Sequence, residues 1–549
     1  SLWKTMPTLA WTNKWLTLVV VCFTAFERDV RDGAALAFFH TSAGSHKLSS
    51  VSLAVSPFVS QKKIRLRDFF RGKPHPDGED RKRLLEIRWL NIGTNVSIAL
   101  YRHPPSVNVS DFIERVYPQD QSSGFYVTSF SLPRVDTSGP DFKLSNDCMY
   151  FWVAVLDSRM RPVDGDCFRG FPFWMAEARR YLNDTQVRRA FIPGTHNSGT
   201  YDTYDENAVR SRVTQYVECQ DESVFNQLFY GARYFELRAS FSPKRRQSRP
   251  GDTFCSGDDS SVDSDRFSNN YRAPGGGGGS GDESGGGGGG GRNRCRPAEI
   301  WSYHGWFTTR VSFNEIARDI RRFLEATQEV VLIDLHKFKI RGKWFWTLDL
   351  HLELWQLLVN ELGHFMAPHK EDVTFGELWR SNRRLIVSTI YPMQNLSSCI
   401  WPAPLHIWAN TDRLSQLELF FDTRLCDAVQ SSSRISVLKG QLTPRAGLNM
   451  VRNAFRNQGG VRYFTPNTNR LLDRMYRGKW SCANVVAVDY LLSSDVVRSA
   501  VFINAMRNND TFRKLSSLAN LFYSWQRNEP GGSSGSWQMS WRWRGQDEL

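Results

Sequence analysis

Phe191-Ile192-Pro193-Gly194-Thr195-His196-Asn197-Ser198-Gly199-Thr200-Tyr201 governs how the rest of the chain is read. Its apolar lead-in, Val187 to Ile192, predicts a strand. The strand is expected to break at Pro193-Gly194, because proline lacks a ladder donor and glycine frees the backbone. A histidine and an amide follow at once, and Gly199 lets the chain bend again. A loop carried on a rigid strand is a way to hold an imidazole at a cleft. Taken alone, such a histidine reads as a surface residue. Segments further along change that.

From about residue 170 the pattern alternates between strands and helices. Eight strand candidates can be marked: Arg189–Pro193, Ala232–Ala239, Glu299–His304, Val330–His336, Arg384–Ile390, Leu405–Ala409, Ile435–Lys439 and Ala483–Tyr490. Helical patterns fall between many of them, over Phe313–Ala326, Trp344–Leu362, Leu414–Ala428 and Val496–Arg507. The α/β alternation predicts a TIM-type (β/α)8 barrel over residues 170–510, with a doubly wound sheet as the other arrangement. In a barrel the chemistry sits at the C-terminal ends of the strands. His196, Arg238, His304 and His336 all lie at or just after such ends.

Glu236 and Arg238 are two apart in an apolar strand and therefore share one face. A buried carboxylate and guanidinium need each other or a ligand, so a structural ion pair and a binding site both fit. Tyr303-His304-Gly305-Trp306 sets a second histidine at a strand end, and Asp334 and His336 share a face of another strand. Asp489 ends the apolar run Val485-Val486-Ala487-Val488 and calls for a His or Arg partner. Two histidines, an arginine and carboxylates at one mouth suit phosphodiester cleavage: one histidine takes a proton, the other gives one, and the arginine holds the phosphate oxygens. Zinc is the main competing use of the histidines, but no His-x-x-x-His or His/Cys cluster appears in the sequence.

The chain of 549 residues is long enough for two or three domains, and its 41% hydrophobic content supports a sizeable core. The net charge of +14 comes from scattered Lys and Arg. With no zinc-finger or RNA-binding motif, no nucleic-acid partner is expected, and no stable protein partner is indicated. An anionic membrane surface fits the same charge. Trp15 to Phe26 suits a signal-peptide core, so residues 1–30 are expected as a signal segment. Residues 48–158 read as a small all-β sandwich-like domain, from runs at Ser50–Val59, Leu84–Trp89, Val96–Tyr101, Phe125–Phe130 and Met149–Val155. Residues 241–298, with the glycine runs 275–279 and 285–291, are expected as a disordered insertion, and 525–549 as a flexible tail. Setting Cys22 aside leaves eight cysteines, compatible with four disulfides, with Cys148 and Cys167 tying the last β-domain strand and Cys255 and Cys295 closing the insertion. Sequons begin at Asn95, Asn108, Asn183, Asn395 and Asn509. Together these features predict a secreted or secretory-pathway glycoprotein, with ER retrieval through the terminal Gln546-Asp547-Glu548-Leu549 as a minor option.

Ile192-Pro193-Gly194-Thr195-His196-Asn197-Ser198, Gly231-Ala232-Arg233-Tyr234-Phe235-Glu236-Leu237-Arg238 and Tyr303-His304-Gly305 resemble the X domain of phosphatidylinositol-specific phospholipase C (PI-PLC). The order and spacing match from about residue 185 to 510, apart from the insertion. The chain is most similar to the animal PI-PLC X domain-containing proteins, including a form with an N-terminal β domain. The resemblance implies a TIM-type barrel acting on phosphatidylinositol or a related glycolipid anchor. It implies His196 as general base on the inositol 2-hydroxyl, His304 as general acid on the diacylglycerol oxygen and Arg238 as stabiliser of the transition state. It also implies Asp489 as the group that orients His196, and Glu236 and Asn197 belong to the same catalytic set. The calcium-dependent eukaryotic enzymes carry Asn after the first His, Glu-x-Asp on strand two and Glu on strand four. Here Arg238 stands where that Asp would be and His336 where the second Glu would be. A metal-independent mechanism is therefore expected, with Asn197 and Glu236 the ligands if calcium were used. His336, Lys337, Tyr391, Trp408 and Lys439 lie near strand ends as candidate headgroup contacts. The rival expectation is a catalytically inactive lipid- or glycan-binding protein on the same barrel.

Overall fold

A computed structural model of the chain describes residues 83–105, 109–119, 121–139, 141–201, 217–241, 300–305, 307–340, 346–444, 460–476 and 478–507, with the strand segments 40–42, 45–47, 50–57, 525–527 and 537–539. The expected signal segment and almost all of the glycine-rich insertion lie outside the described residues, as do Asn108, Asn509, Cys22, Cys255 and Cys295. Of the tail, only an antiparallel pairing of Trp525–Arg527 with Trp537–Met539 is described.

β1 (His40–Ser42) and β2 (Ser45–Lys47) form a small ribbon. β3 (Ser50–Pro57), β4 (Arg83–Leu90), β5 (Ser97–Tyr101), β6 (Glu114–Val116), β7 (Gly124–Ser131), β8 (Cys148–Leu156) and β9 (Pro162–Arg169) follow. They make two antiparallel sheets, β3-β4-β7 and β6-β5-β8-β9. Period-two apolar positions such as Val51, Leu53 and Val55, or Phe151, Val153 and Val155, are buried in one core that continues into the rest of the chain. Each such side chain contributes about 1.5–3 kcal/mol. The Cys148–Cys167 disulfide joins β8 to β9, and Cys426–Cys482 is the second described disulfide. Cys219 and Cys399 are free thiols, so the even cysteine count does not translate into complete pairing.

Buried polar bonds fasten the three-stranded sheet to the C-terminal part of the chain. Ser52 Oγ donates to Asp495 at 2.7 Å. Arg88 donates to Glu86 at 2.6 Å, to Asp473 at 2.5 Å and to the Ser493 carbonyl at 2.9 Å. Arg470 donates to Glu86 as well.

The remaining strands are β10 (Ile192–Thr195), β11 (Tyr234–Phe241), β12 (Ile300–His304), β13 (Phe307–Ser312), β14 (Val331–Ile340), β15 (Leu385–Thr389), β16 (Ile400–Pro402), β17 (Leu405–Ile407), β18 (Ser436–Lys439) and β19 (Val485–Val488). Eight of them lie parallel in the order β16-β15-β14-β11-β10-β19-β18-β17. β12 and β13 form a hairpin that pairs antiparallel with β11, outside this row. The strand candidate at Glu299–His304 is thus not a member of the parallel row, and Ile400–Pro402, unmarked in the sequence, takes a place in it.

The row curls on itself. β14 and β17 are five strands apart, roughly 24 Å in a flat sheet. His406 on β17 nevertheless reaches within 3.1 Å of Asp334 on β14, and Lys439 on β18 bonds Glu236 on β11. The all-apolar β19 is flanked on both sides by parallel strands, which is why it needs no polar alternation. Helices cover the outside. In Phe313–Ala326, Phe313, Ile316, Ala317, Ile320, Phe323 and Leu324 face the core at helical spacing, and Ser312 with Glu315 closes a capping box at its start. Among the described residues no helix is long and apolar enough to cross a membrane.

The opening motif departs from its expected local form. Val187–Arg189 is a 3-10 turn, and the strand begins at Ile192 and runs through Pro193-Gly194. Pro193 lacks an N–H, but its carbonyl still accepts from Arg233 N at 2.8 Å. Gly194 is needed for closeness: a Cβ there would lie 2.7 Å from Tyr234 Cδ1 and 2.9 Å from the Tyr234 carbonyl.

Candidate active site

His196 follows β10 directly, with its backbone N–H bonded to the Val488 carbonyl at 3.0 Å. Its side chain is almost wholly buried. Nδ1 lies 2.8 Å from Asp489 Oδ1, and Arg238 Nη2 lies 2.9 Å from Nε2. The guanidinium can only donate. Nε2 must therefore accept, and the single ring proton sits on Nδ1, donated to Asp489. Burial pushes His196 well below its ordinary pKa, with Arg238 and Lys439 adding to it against Glu236. Burial also pushes Asp489 upward; the bond from Nδ1 requires its facing oxygen to be an acceptor. Gln220 steadies the loop by donating to the His196 and Val488 carbonyls at 3.1 and 2.9 Å.

Arg238 is held from below. Its Nε and Nη2 donate to Glu236 Oε1 at 2.9 and 2.8 Å. Lys439 bonds the other oxygen of Glu236, which is fully buried. Burial alone would raise the Glu236 carboxyl; Lys439 and then Arg238 outweigh it and hold the group well below the usual range. Glu236 is thus the anionic hub of two cations.

His304 ends β12. Its Nδ1 donates to the Val217 carbonyl at 2.8 Å, which leaves Nε2 as the open nitrogen. Burial and then Arg238 push its pKa down to about 3. Its ring stands 5.9 Å from that of His196, centroid to centroid, at 87°. The free thiol of Cys219 lies 3.5 Å from His304 Nδ1. Asn197 takes a left-handed φ of 45°, and both polar atoms of its buried amide lack a hydrogen-bond partner.

Calcium does not fit this donor set. A calcium ion takes six to eight oxygens. Glu236, one of the two candidate ligands, already carries Arg238 and Lys439 on its oxygens, and a third cation there would meet two fixed positive charges.

No protein-family model matches the chain. Among curated proteins, it is 24% identical over 298 residues to human PI-PLC X domain-containing protein 2, covering 50% of this chain and 77% of that protein. It is 22% identical over 370 residues to mouse PI-PLC X domain-containing protein 3, covering 62% of this chain and 95% of the relative. At 22–24% identity, these relatives support membership of the PI-PLC X domain-containing family. Solved structures similar to it include a phosphatidylinositol-specific phospholipase C of Staphylococcus aureus, at 13% identity and a TM-score of 0.39 over 60% of this chain and 97% of that one. Another is the Listeria monocytogenes enzyme, at 11% identity and a TM-score of 0.38 over 60% of this chain and 98% of that one.

Asp489, His196, Arg238 and Glu236 are joined in one run of hydrogen bonds and His304 stands beside His196, while Asn197 follows His196 in the chain with its amide unpartnered. Of the headgroup candidates, Lys439 lies beneath the site on Glu236, while Lys337 stands over the exposed Trp408 ring at 5.9 Å. Tyr391 is not brought in: it stacks on His351 of the covering helix, with rings 3.7 Å apart. Three residues at this site escaped the sequence reading: Gln220, Cys219 and His406. Only His406 left a usable trace, as a lone histidine in the short strand Leu405–Ile407.

Proposed function

We propose that this chain is a phosphoric diester hydrolase of the PI-PLC type, cleaving a phosphoinositide or glycosylphosphatidylinositol headgroup at a membrane surface. The observation that carries it is the pairing of two histidine rings 5.9 Å apart, one of them bonded by Arg238, with each histidine tautomer fixed by a partner on Nδ1. The curled sheet then serves as a PLC-type barrel, and the two N-terminal sheets as a small sandwich clamped to it.

In the proposed reaction, the substrate phosphate draws Arg238 away from His196 Nε2. The inositol 2-hydroxyl attacks phosphorus and gives its proton to Nε2, while Asp489 steadies the imidazolium. The bond from phosphorus to the diacylglycerol oxygen breaks, and that oxygen takes a proton from His304 Nε2. The products are a cyclic inositol phosphate and diacylglycerol. Arg238 offsets the charge growing on the phosphate oxygens. His304 is neutral in the free protein, so it has to acquire its proton as the anionic phosphodiester counters Arg238.

Release of water-soluble inositol phosphate from phosphatidylinositol vesicles tests this directly. Release unaffected by EGTA is expected. Release only with added calcium would overturn the metal-independent mechanism. The low resting pKa of His304 favours one second reading, a catalytically inactive lipid- or glycan-binding protein. Vesicle binding without turnover by the folded chain would select it. Placement in the secretory pathway is proposed on the two disulfides.

A further inference from the structure

Beside Glu236 a second set of polar groups faces the inside of the curled sheet. Asp334 and His336 come from one face of β14, and His406 comes from β17 across the barrel. Each offers a ligand atom, all within 4.8 Å of one another. His406 Nε2 lies 3.1 Å from Asp334 Oδ2, and the two imidazole rings are 4.2 Å apart. Tyr234 donates to Asp334 Oδ2 at 2.6 Å, which fixes the carboxylate in place.

The atoms of this set are unusually unsatisfied. Asp334 Oδ1, His336 Nδ1 and His406 Nδ1 are buried without a hydrogen-bond partner, and His406 Nε2 has only the Asp334 carboxylate beside it. An unpaired buried polar group is costly and rare, and three in one cluster require a cause. A cation of the right chemistry supplies it. Two imidazoles and one carboxylate are the donor set of zinc-class ions, and three protein ligands leave one position open. A tetrahedral site with bonds near 2 Å spaces its ligands by roughly 3.4 Å, so the partly exposed rings would close on the ion by about an ångström. The hard cations calcium and magnesium want more oxygens than one carboxylate supplies.

We propose that Asp334, His336 and His406 form a transition-metal site of the zinc class inside the barrel mouth, with its open position toward the substrate cleft. Glu236 is the neighbour this set shares with His196: His336 Nε2 is 4.0 Å and His196 Nε2 is 3.9 Å from the same Glu236 oxygen. The site also ties β17 to β14 across the barrel, where the sheet offers no hydrogen bonds of its own among the described residues.

The test uses the full chain, stripped with a chelator and titrated with zinc or cobalt(II). It is independent of turnover, so it stands or falls separately from the hydrolase reading. One equivalent of metal per chain is expected, with a tetrahedral cobalt spectrum free of sulfur charge transfer. His406→Ala and His336→Ala should each weaken binding at least about tenfold, while His369→Ala, at an exposed position, should leave it unchanged. Circular dichroism confirms that each variant is folded. Absence of stoichiometric binding by the folded wild-type chain would overturn the proposal, as would binding indifferent to His406→Ala. His196, Cys219 and Asp489 are a second group with ligand atoms within 4.8 Å. A thiolate-to-cobalt band abolished by Cys219→Ser would move the ion there and equally overturn the assignment.

Discussion

Arg238 Nη2 donates to His196 Nε2 across 2.9 Å, so the nitrogen best placed to take a proton is occupied until a ligand competes for the guanidinium. A phosphodiester is such a ligand, because its paired oxygens match the fork of donors. Arg238→Lys keeps the charge and loses the fork. Turnover of phosphatidylinositol vesicles should fall about 10²–10³-fold. A loss below tenfold would mean the paired donors play no part in the transition state.

Asp489 acts through His196 and not on the substrate. Asp489→Asn keeps the shape but offers an amide N–H to Nδ1, which moves the ring proton to Nε2 and removes the acceptor. Turnover should drop by up to about 10⁴ while vesicle binding is retained. Equal loss of both would point to a collapsed loop and not to a wrong tautomer.

Glu236 is fully buried between two cations, so its removal should be felt in stability before activity is considered. Glu236→Gln leaves Arg238 and Lys439 facing each other uncompensated, at a cost of about 3–5 kcal/mol. Adding Lys439→Met should restore a large part of the lost melting temperature. An unchanged melting temperature in the single variant would show that the hub carries no structural load.

His304 gives a pH signature of definite sign. Its native pKa lies near 3, against an ordinary value of 6.5. Above pH about 6.5 the ring is neutral folded or unfolded, and the burial makes no pH-dependent difference. As pH falls below that, the unfolded chain takes up a proton that the native ring refuses, and stability declines until about pH 3. In His304→Gln this contribution is gone. The wild type should lose more stability than the variant between pH 6.5 and 4 in denaturant melts; parallel curves would contradict the depressed value.

The alternation of strands and helices was legible because the parallel strands are short apolar runs and a helix such as Phe313–Ala326 carries a clear stripe. The candidate set was legible because His196, His304 and Asp489 stand at strand ends, while Glu236 and Arg238, inside β11, share one of its faces. Three matters were hidden for physical reasons. Pro193-Gly194 reads as a breaker locally, yet close packing on Tyr234 makes a glycine the residue that a strand requires there. The hairpin of β12 and β13 has strand composition like any other, and nothing local tells antiparallel from parallel pairing. The Asp334, His336 and His406 set has no sequence spacing to recognise, because its third member arrives from a strand some seventy residues later by the curl of the sheet.

The place of β10 between β11 and β19 has a consequence for how the protein is made. His196 and its partner Asp489 are separated by 293 residues. At about 5–20 residues per second, the ribosome needs roughly 15–60 s to supply the second after the first. Throughout that interval the edge of β10 that β19 will cover is an unpaired template for stray strands. Nascent chains should therefore depend on chaperones until β19 emerges, and truncations before residue 485 should aggregate instead of yielding a smaller folded protein.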